Sequence, residues 1–229
     1  TAGDVYAGGA VRFGKDSISG AILDETTSHD TWDPMPNLLA DQRIEFSGGT
    51  NVRLEHGEQI VLAPGIFGNA RTGNDVTIRL TAGEYVFTSL DLGHRVDLLA
   101  DTSAGDVVIR ILGDVAANDD ITIARDGFGL VTLLALGDMR FGPRANLDAS
   151  IGALANGNVR LGDDSAVEGS VYAAGNLRLG RRSTVEGRQP LPNASRIPTP
   201  SATTGMLIAG GAWSAARRRR RRPAPAVDI

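Results

Sequence analysis

The chain has 229 residues, of which 41% are hydrophobic, 22% charged and 5% aromatic, with 29 glycines. That balance suits a folded chain of turns and short strands and argues against a helix-rich core. The formal charge of −4 conceals a basic end: without the six arginines 217–222 the remainder carries −10, which excludes nucleic acid as a partner of the body. The absence of cysteine excludes disulfides and thiolate metal sites.

The sequence starts at Thr1 with neither Met nor a charged-then-apolar leader, as expected of a trimmed exported protein or of a fragment. Gly9-Ala-Val-Arg-Phe-Gly14 is the first of four copies of one hexapeptide. The others are Gly137-Asp-Met-Arg-Phe-Gly142, Gly157-Asn-Val-Arg-Leu-Gly162 and Gly175-Asn-Leu-Arg-Leu-Gly180. In each, two apolar residues flank an arginine, the period-2 alternation of a half-buried strand, and glycines close both ends. So short a unit cannot bury its own apolar face, so copies must stack on one another. The surroundings of the first copy, Gly3 to Leu23, closely match Gly169 to Gly187. From Asp24 to Pro36 the pattern breaks, which predicts a loop insertion over about 24–44, with a short helix over 37–44. A long loop inside a repeat domain is a place to look for function.

A second repeat follows, in which Leu62-Ala-Pro-Gly-Ile-Phe67 recurs as Leu80-Thr-Ala-Gly-Glu-Tyr85. The same 18-residue step separates Val159 from Leu177 and Val167 from Val185, and a step of 20 separates the second and third hexapeptides. Short alternating strands at this period, with Gly, Asn and Asp turns, predict an all-β, single-stranded parallel β-helix of about 18 residues per rung over residues 1–187. At ~3.3 Å per residue such a rung has three sides of five to six residues. A β-sandwich also uses many short strands but does not require a fixed offset between interior positions. The run Leu130 to Leu136 lacks alternation, which predicts cover on both faces.

The stretch Leu62 to Gly187 resembles an uncharacterised β-helix domain of bacterial surface proteins, including some linked to PilX-type pilus-assembly components. The residues that carry the resemblance are Ala82-Gly-Glu-Tyr-Val-Phe-Thr-Ser-Leu-Asp-Leu92, Val108-Ile-Arg-Ile-Leu-Gly-Asp-Val115 and the closing glycine-bounded rungs. The rungs alone are also similar to bactofilins, which polymerise through β-helix ends. The resemblance implies a structural or adhesive role and carries over no catalytic residues.

Residues 188–201 form a Pro-rich linker ending in Pro198, Thr199 and Pro200. Beyond it, residues 202–229 comprise a small apolar segment, Ala202 to Ala216, then Arg217, Arg218, Arg219, Arg220, Arg221 and Arg222, then Pro223 to Ile229. As a helix the apolar segment would reach about 22 Å, short of the ~30 Å hydrocarbon core, with its arginines on the cytoplasmic side. This order of Pro motif, apolar segment and basic cluster resembles a PEP-CTERM sorting signal, although the motif lacks that family's central Glu. The resemblance implies a sorting protease of exosortase type and transient membrane contact as partners, with export to the cell surface or extracellular matrix.

Chemistry is sparse. A β-helix lyase or hydrolase would use clustered carboxylates, for which Asp119, Asp120 and Asp126, or Asp163 and Asp164, are the candidates. Adjacent Asp residues also suit solenoid corners, where they favour tight turns. His29, His56 and His94 share no metal-ligand spacing, and no calcium-binding nonapeptide or phosphate loop is present, so no cofactor, metal site or catalytic residue is expected. The remaining candidate is a column of Arg140, Arg160 and Arg178, with Glu168 and Glu186 in a column of their own to neutralise it. It is either a charge-paired face or a stripe for acidic extracellular polysaccharide. The expected function is a non-enzymatic surface or matrix protein, with a carbohydrate-active enzyme or a bactofilin-like self-assembling scaffold as the alternatives.

Overall fold

The computed structural model describes residues 5–17, 22–24 (backbone only) and 49–187. Within them the alternation resolves into strands of two to eight residues, all paired in parallel, which turn from face to face at corners. Each turn of the solenoid has three faces. The first, which carries the hexapeptides, stacks β4 (Thr50–Leu54), the end of β6 (Gly65–Thr72), β9 (Ser89–Leu92), β12 (Val115–Ala117), β15 (Met139–Phe141), β18 (Val159–Leu161) and β21 (Leu177–Leu179). The second stacks β5 (Gln59–Leu62), β7 (Thr77–Thr81), β10 (Asp97–Thr102), β13 (Thr122–Gly127), β16 (Asn146–Leu147), β19 (Ala166–Glu168) and β22 (Thr184–Glu186). The third stacks the start of β6, β8 (Gly83–Phe87), β11 (Val107–Ile111), β14 (Val131–Ala135), β17 (Ser150–Ala153) and β20 (Val171–Ala173). The chain is therefore an all-β parallel solenoid of about seven turns.

The core is the interior of this stack. Met139, Val159 and Leu177 form one buried column, with Phe141, Leu161 and Leu179 two residues on. Leu147, Val167 and Val185 line the second face, and Leu133, Ile151 and Val171 the third. Near one end Phe67 stacks on Phe87 with ring centroids 5.0 Å apart. The buried hydroxyl of Tyr85 accepts from Thr81 N–H at 2.9 Å and bonds the carbonyls of Thr81 and Leu62. In the run Leu130 to Leu136 the expected cover on both faces is present in part: Leu133 points inward and Leu134 outward and both are buried, whereas Leu130 is 50% exposed.

The rung is not uniformly 18 residues. From Asn158 to Asn176 it is 18, from Asp138 to Asn158 it is 20, and from Asp114 to Asp138 it is 24. The step from the first face to the second is constant, as in Met139 to Leu147 and Val159 to Val167. Variation enters mainly between the second face and the third, where Val167 to Val171 takes four residues and Leu98 to Ile109 takes eleven. The two extra residues between the second and third hexapeptides lie before β18, where Ala155 and Asn156 take positive φ of 50° and 70°. Similarly, Leu62 stacks on Leu80 at the expected step, but Gly65 lies on Tyr85, two residues further along.

The N-terminal segment departs most from chain order. β1 (Val5–Ala7) pairs with β20 as Val5↔Val171, and β2 (Val11–Phe13) pairs with β21 as Val11↔Leu177. β3 (Ile22–Asp24) then pairs with β1. The beginning of the chain thus continues the stack beyond its last turn. Ser17 Oγ donates to Gly180 O at 2.6 Å, as Ser183 Oγ does to Gly162 O at 2.8 Å one rung earlier. Residues 25–48 join the two ends of the stack; the expected loop and short helix there lie outside the described residues, as do the linker over 188–201 and the C-terminal apolar helix.

Candidate functional site

Parallel pairing in register brings chemically equivalent residues into columns, so the site is built from repetition. Arg140 pairs with Arg160, Arg160 with Arg178, and Arg178 with Arg12, each at the centre of its hexapeptide with its apolar neighbours turned inward. All four side chains are exposed. The expected column of Arg140, Arg160 and Arg178 is present, and Arg12 extends it. That residue escaped the sequence reading although its hexapeptide was the first copy, because the repeat identifies the unit and not its neighbour.

Two shallow troughs flank the column. One, of about 760 Å³, runs beside the closing glycines Gly14, Gly142, Gly162 and Gly180; the other, of about 380 Å³, lies on the side of Asn158 and Asn176. On that second side a ladder of side-chain acceptors holds the corner. Asp114 Oδ1 accepts from Asp138 N–H, Asp138 Oδ1 from Asn158 N–H, Asn158 Oδ1 from Asn176 N–H and Asn176 Oδ1 from Ala10 N–H, at 2.8–3.0 Å. The glycines are required by close approach: a Cβ on Gly162 would lie 2.4 Å from the Gly142 carbonyl carbon.

At the opposite edge of the first face a different column forms. Asp16, Asp75, Arg95, Asp120, Arg144, Asp164 and Arg182 all occupy the left-handed region at φ between 53° and 61°. Read along the stack, they alternate in charge from Asp75 to Asp16. Arg144 grips Asp120 through Nε at 2.5 Å and Nη2 at 2.7 Å, Arg182 grips Asp164 at 2.5 and 2.6 Å, and Arg95 pairs with Asp75 in the same two-pronged way. The guanidinium hydrogen bonds hold the carboxyls of Asp75, Asp120 and Asp164 below the usual carboxylate range and raise their arginine partners. Asp163 is lowered first by the backbone N–H of Arg181 and then by its side chain.

These ladders decide the fate of the other candidates. Asp120, Asp163 and Asp164 are corner residues in ion pairs, and Asp119 faces Arg144 at 3.9 Å and His94 at 4.0 Å. Asp126 pairs with Asp101 on the second face, away from that edge. His56 sits 3.2 Å from Asp75. Among the described residues no group of three or more His, Cys, Asp or Glu could hold a metal ion. Glu168 and Glu186 do stand in register with each other, but on β19 and β22 of the second face, and make no ion pair with the arginine column among the described residues. The distance is built in, since the column is central to the first face and the constant corner separates the two. Pro198, Thr199, Pro200 and the arginines 217–222 lie outside the described residues, as does His29.

The chain belongs to the DUF7305 family, a domain of unknown function whose model matches residues 24–210. No curated protein and no solved structure matches it.

Proposed function

We propose that this chain is a non-enzymatic, exported component of the cell surface or extracellular matrix, which presents the rigid exterior of its solenoid as a structural or adhesive surface. The observation that carries this reading is the state of the external carboxylates. In a β-helix hydrolase two carboxyl groups face each other across a bond to be cut, one holding a proton and the other able to attack or to activate water. Here Asp120, Asp163 and Asp164 are each engaged by a guanidinium of the adjacent rung and held ionised, which suits a fastener and not a general acid.

Delivery rests on the tail. The Pro198-Thr199-Pro200 motif, the short apolar segment over 202–216 and the cluster Arg217–Arg222 act as a sorting signal read by an exosortase-type protease, with passing membrane contact before release. Mass spectrometry of surface material should find a C-terminus upstream of Met206; intact Arg217–Arg222 on mature surface protein would sink the sorting reading. Purified chain should release no reducing sugar from pectin- or alginate-like polymers, and release above background would establish the enzyme reading instead.

A further inference from the structure

We infer that the arginine column is a binding site for a linear acidic polysaccharide carrying one carboxylate per sugar, and that the N-terminal rung completes it. The inference deepens the surface reading above, and rests on it in that the polymer is held and not cut.

Thirteen arginine side chains fall within the described residues, and eight of them are in ion pairs. Of the other five, four are Arg140, Arg160, Arg178 and Arg12, and they occupy consecutive rungs of one column. The same column shows how the fold neutralises such a residue when it does so: further up, Arg71 meets Asp91 at 3.4 Å on the neighbouring rung. Below Ala116 that device stops, and four like charges follow one another at ~4.8 Å, a span of ~14 Å. Charges of one sign directly opposite each other in a sheet repel. Among the described residues no ion pair offsets this cost, and the counter-charge that fits is one repeating along a line at close to the rung spacing, as the carboxylates of a polyuronate do. Guanidinium and carboxylate suit each other through paired N–H···O bonds.

The troughs give the polymer room on both sides of the column. Of the carboxylates in their walls, Asp163 is paired with Arg181 and Asp119 lies 3.9 Å from Arg144, while Asp138, hydrogen-bonded by the neutral amide of Asn158, keeps its charge on one flank, where the four guanidinium groups outnumber it. A single-stranded nucleic acid is the competing polyanion. It needs a succession of aromatic platforms on which bases stack, and the trough offers one exposed ring, Phe13 at the end of the stack, while its Phe141 is buried. The body's negative charge also disfavours it.

Because Arg12 arrives on a strand remote in sequence from the other three, binding is linked to docking of that strand. A polymer that touches Arg12 only when β2 is seated stabilises the seated state.

The test uses the full chain with polygalacturonate as probe, and dextran, polyphosphate and a single-stranded oligonucleotide as comparisons. Polygalacturonate should bind, dextran should not, and affinity should fall with salt. R160Q and R178Q should each weaken binding about tenfold, whereas Arg79→Gln, an exposed arginine of the second face, should leave it unchanged. Amides of Val5–Phe13 should exchange more slowly with polymer present in the wild type but not in Arg12→Gln. Unaltered binding by a folded R160Q/R178Q double variant would overturn the site, and so would equal or tighter binding of the oligonucleotide or polyphosphate. Binding without slower exchange at Val5–Phe13 would overturn the part assigned to the N-terminal rung. Failure here leaves the sorting reading standing, and an uncleaved tail leaves this site standing, so the two are separable.

Discussion

Three successive residues of one hexapeptide do three different jobs, and substitutions should separate them. Leu161 is buried in the interior column, so Leu161→Ala should cost 2–5 kcal/mol, roughly the range for emptying a packed leucine site. Gly162→Ala sets a methyl 2.4 Å from backbone atoms of Gly142 and Pro143, which cannot turn aside as a side chain could, and should cost about 1–3 kcal/mol. Arg160→Gln should change stability by less than about 0.5 kcal/mol, or raise it, because it removes repulsion from Arg140 and Arg178. Urea denaturation of the three variants checks all three, and an Arg160→Gln loss as large as that of Leu161→Ala would show that Arg160 is held by a stabilising partner. At this scale the sequence was most legible. Alternation marks which residues point inward, and a fixed offset marks which arginines align. The partner of each corner Asp was less legible. Asp120 and Arg144 lie a full rung apart, and only the rung length, which varies, tells which charge meets which.

The first-to-second-face corner behaves as an element, because its αL residues are tied rung to rung by alternating charge. Each link is exposed, and an exposed pair is worth little singly. The carboxyls of Asp75, Asp120 and Asp164 titrate below their unfolded values in the folded chain. Their contribution is therefore complete above the unfolded pKa of about 4 and is lost as pH falls through the lower folded values. A variant with Asp120→Asn and Asp164→Asn should melt lower than wild type at pH ~7 and converge with it at pH ~2, and added salt should shrink the gap at neutral pH. A gap that persists unchanged in acid would show that the asparagines act through the strained turn and not through charge. The varying rung length belongs to this scale too. The extra residues of the middle turns sit between the second and third faces, where they leave the interior alternation undisturbed. Counting offsets from the outer rungs therefore finds 18 and 20 but not 24.

For the whole molecule, the order of the stack differs from the order of the chain. The likeness of Gly3–Leu23 to Gly169–Gly187 shows that both are the same kind of rung, but similarity carries no information on adjacency. Adjacency is visible only in the register Val5↔Val171 and Val11↔Leu177. That placement allows the chain to be recut. Between Val167 and Val171 the step from second to third face is Glu168-Gly169-Ser170, and joining Glu186 directly to Gly3 writes Val185-Glu186-Gly3-Asp4-Val5, a step of the same length with glycine in the same place. A permuted chain running from Gly49 to Glu186 and on through Gly3 to Asp24 then has its rungs in stacking order. It no longer needs residues 25–48 to carry the first strands to the far end. Docking the last rung becomes a local step in place of a closure across most of the chain, which lowers its entropic cost. The permuted protein should melt no lower than a chain that keeps residues 1–187 in their natural order. Its amides over Val5–Phe13 should be protected to the level of β21. A folded body with those amides exchanging freely would place the N-terminal rung somewhere other than on β20 and β21. It would also remove Arg12 from the column.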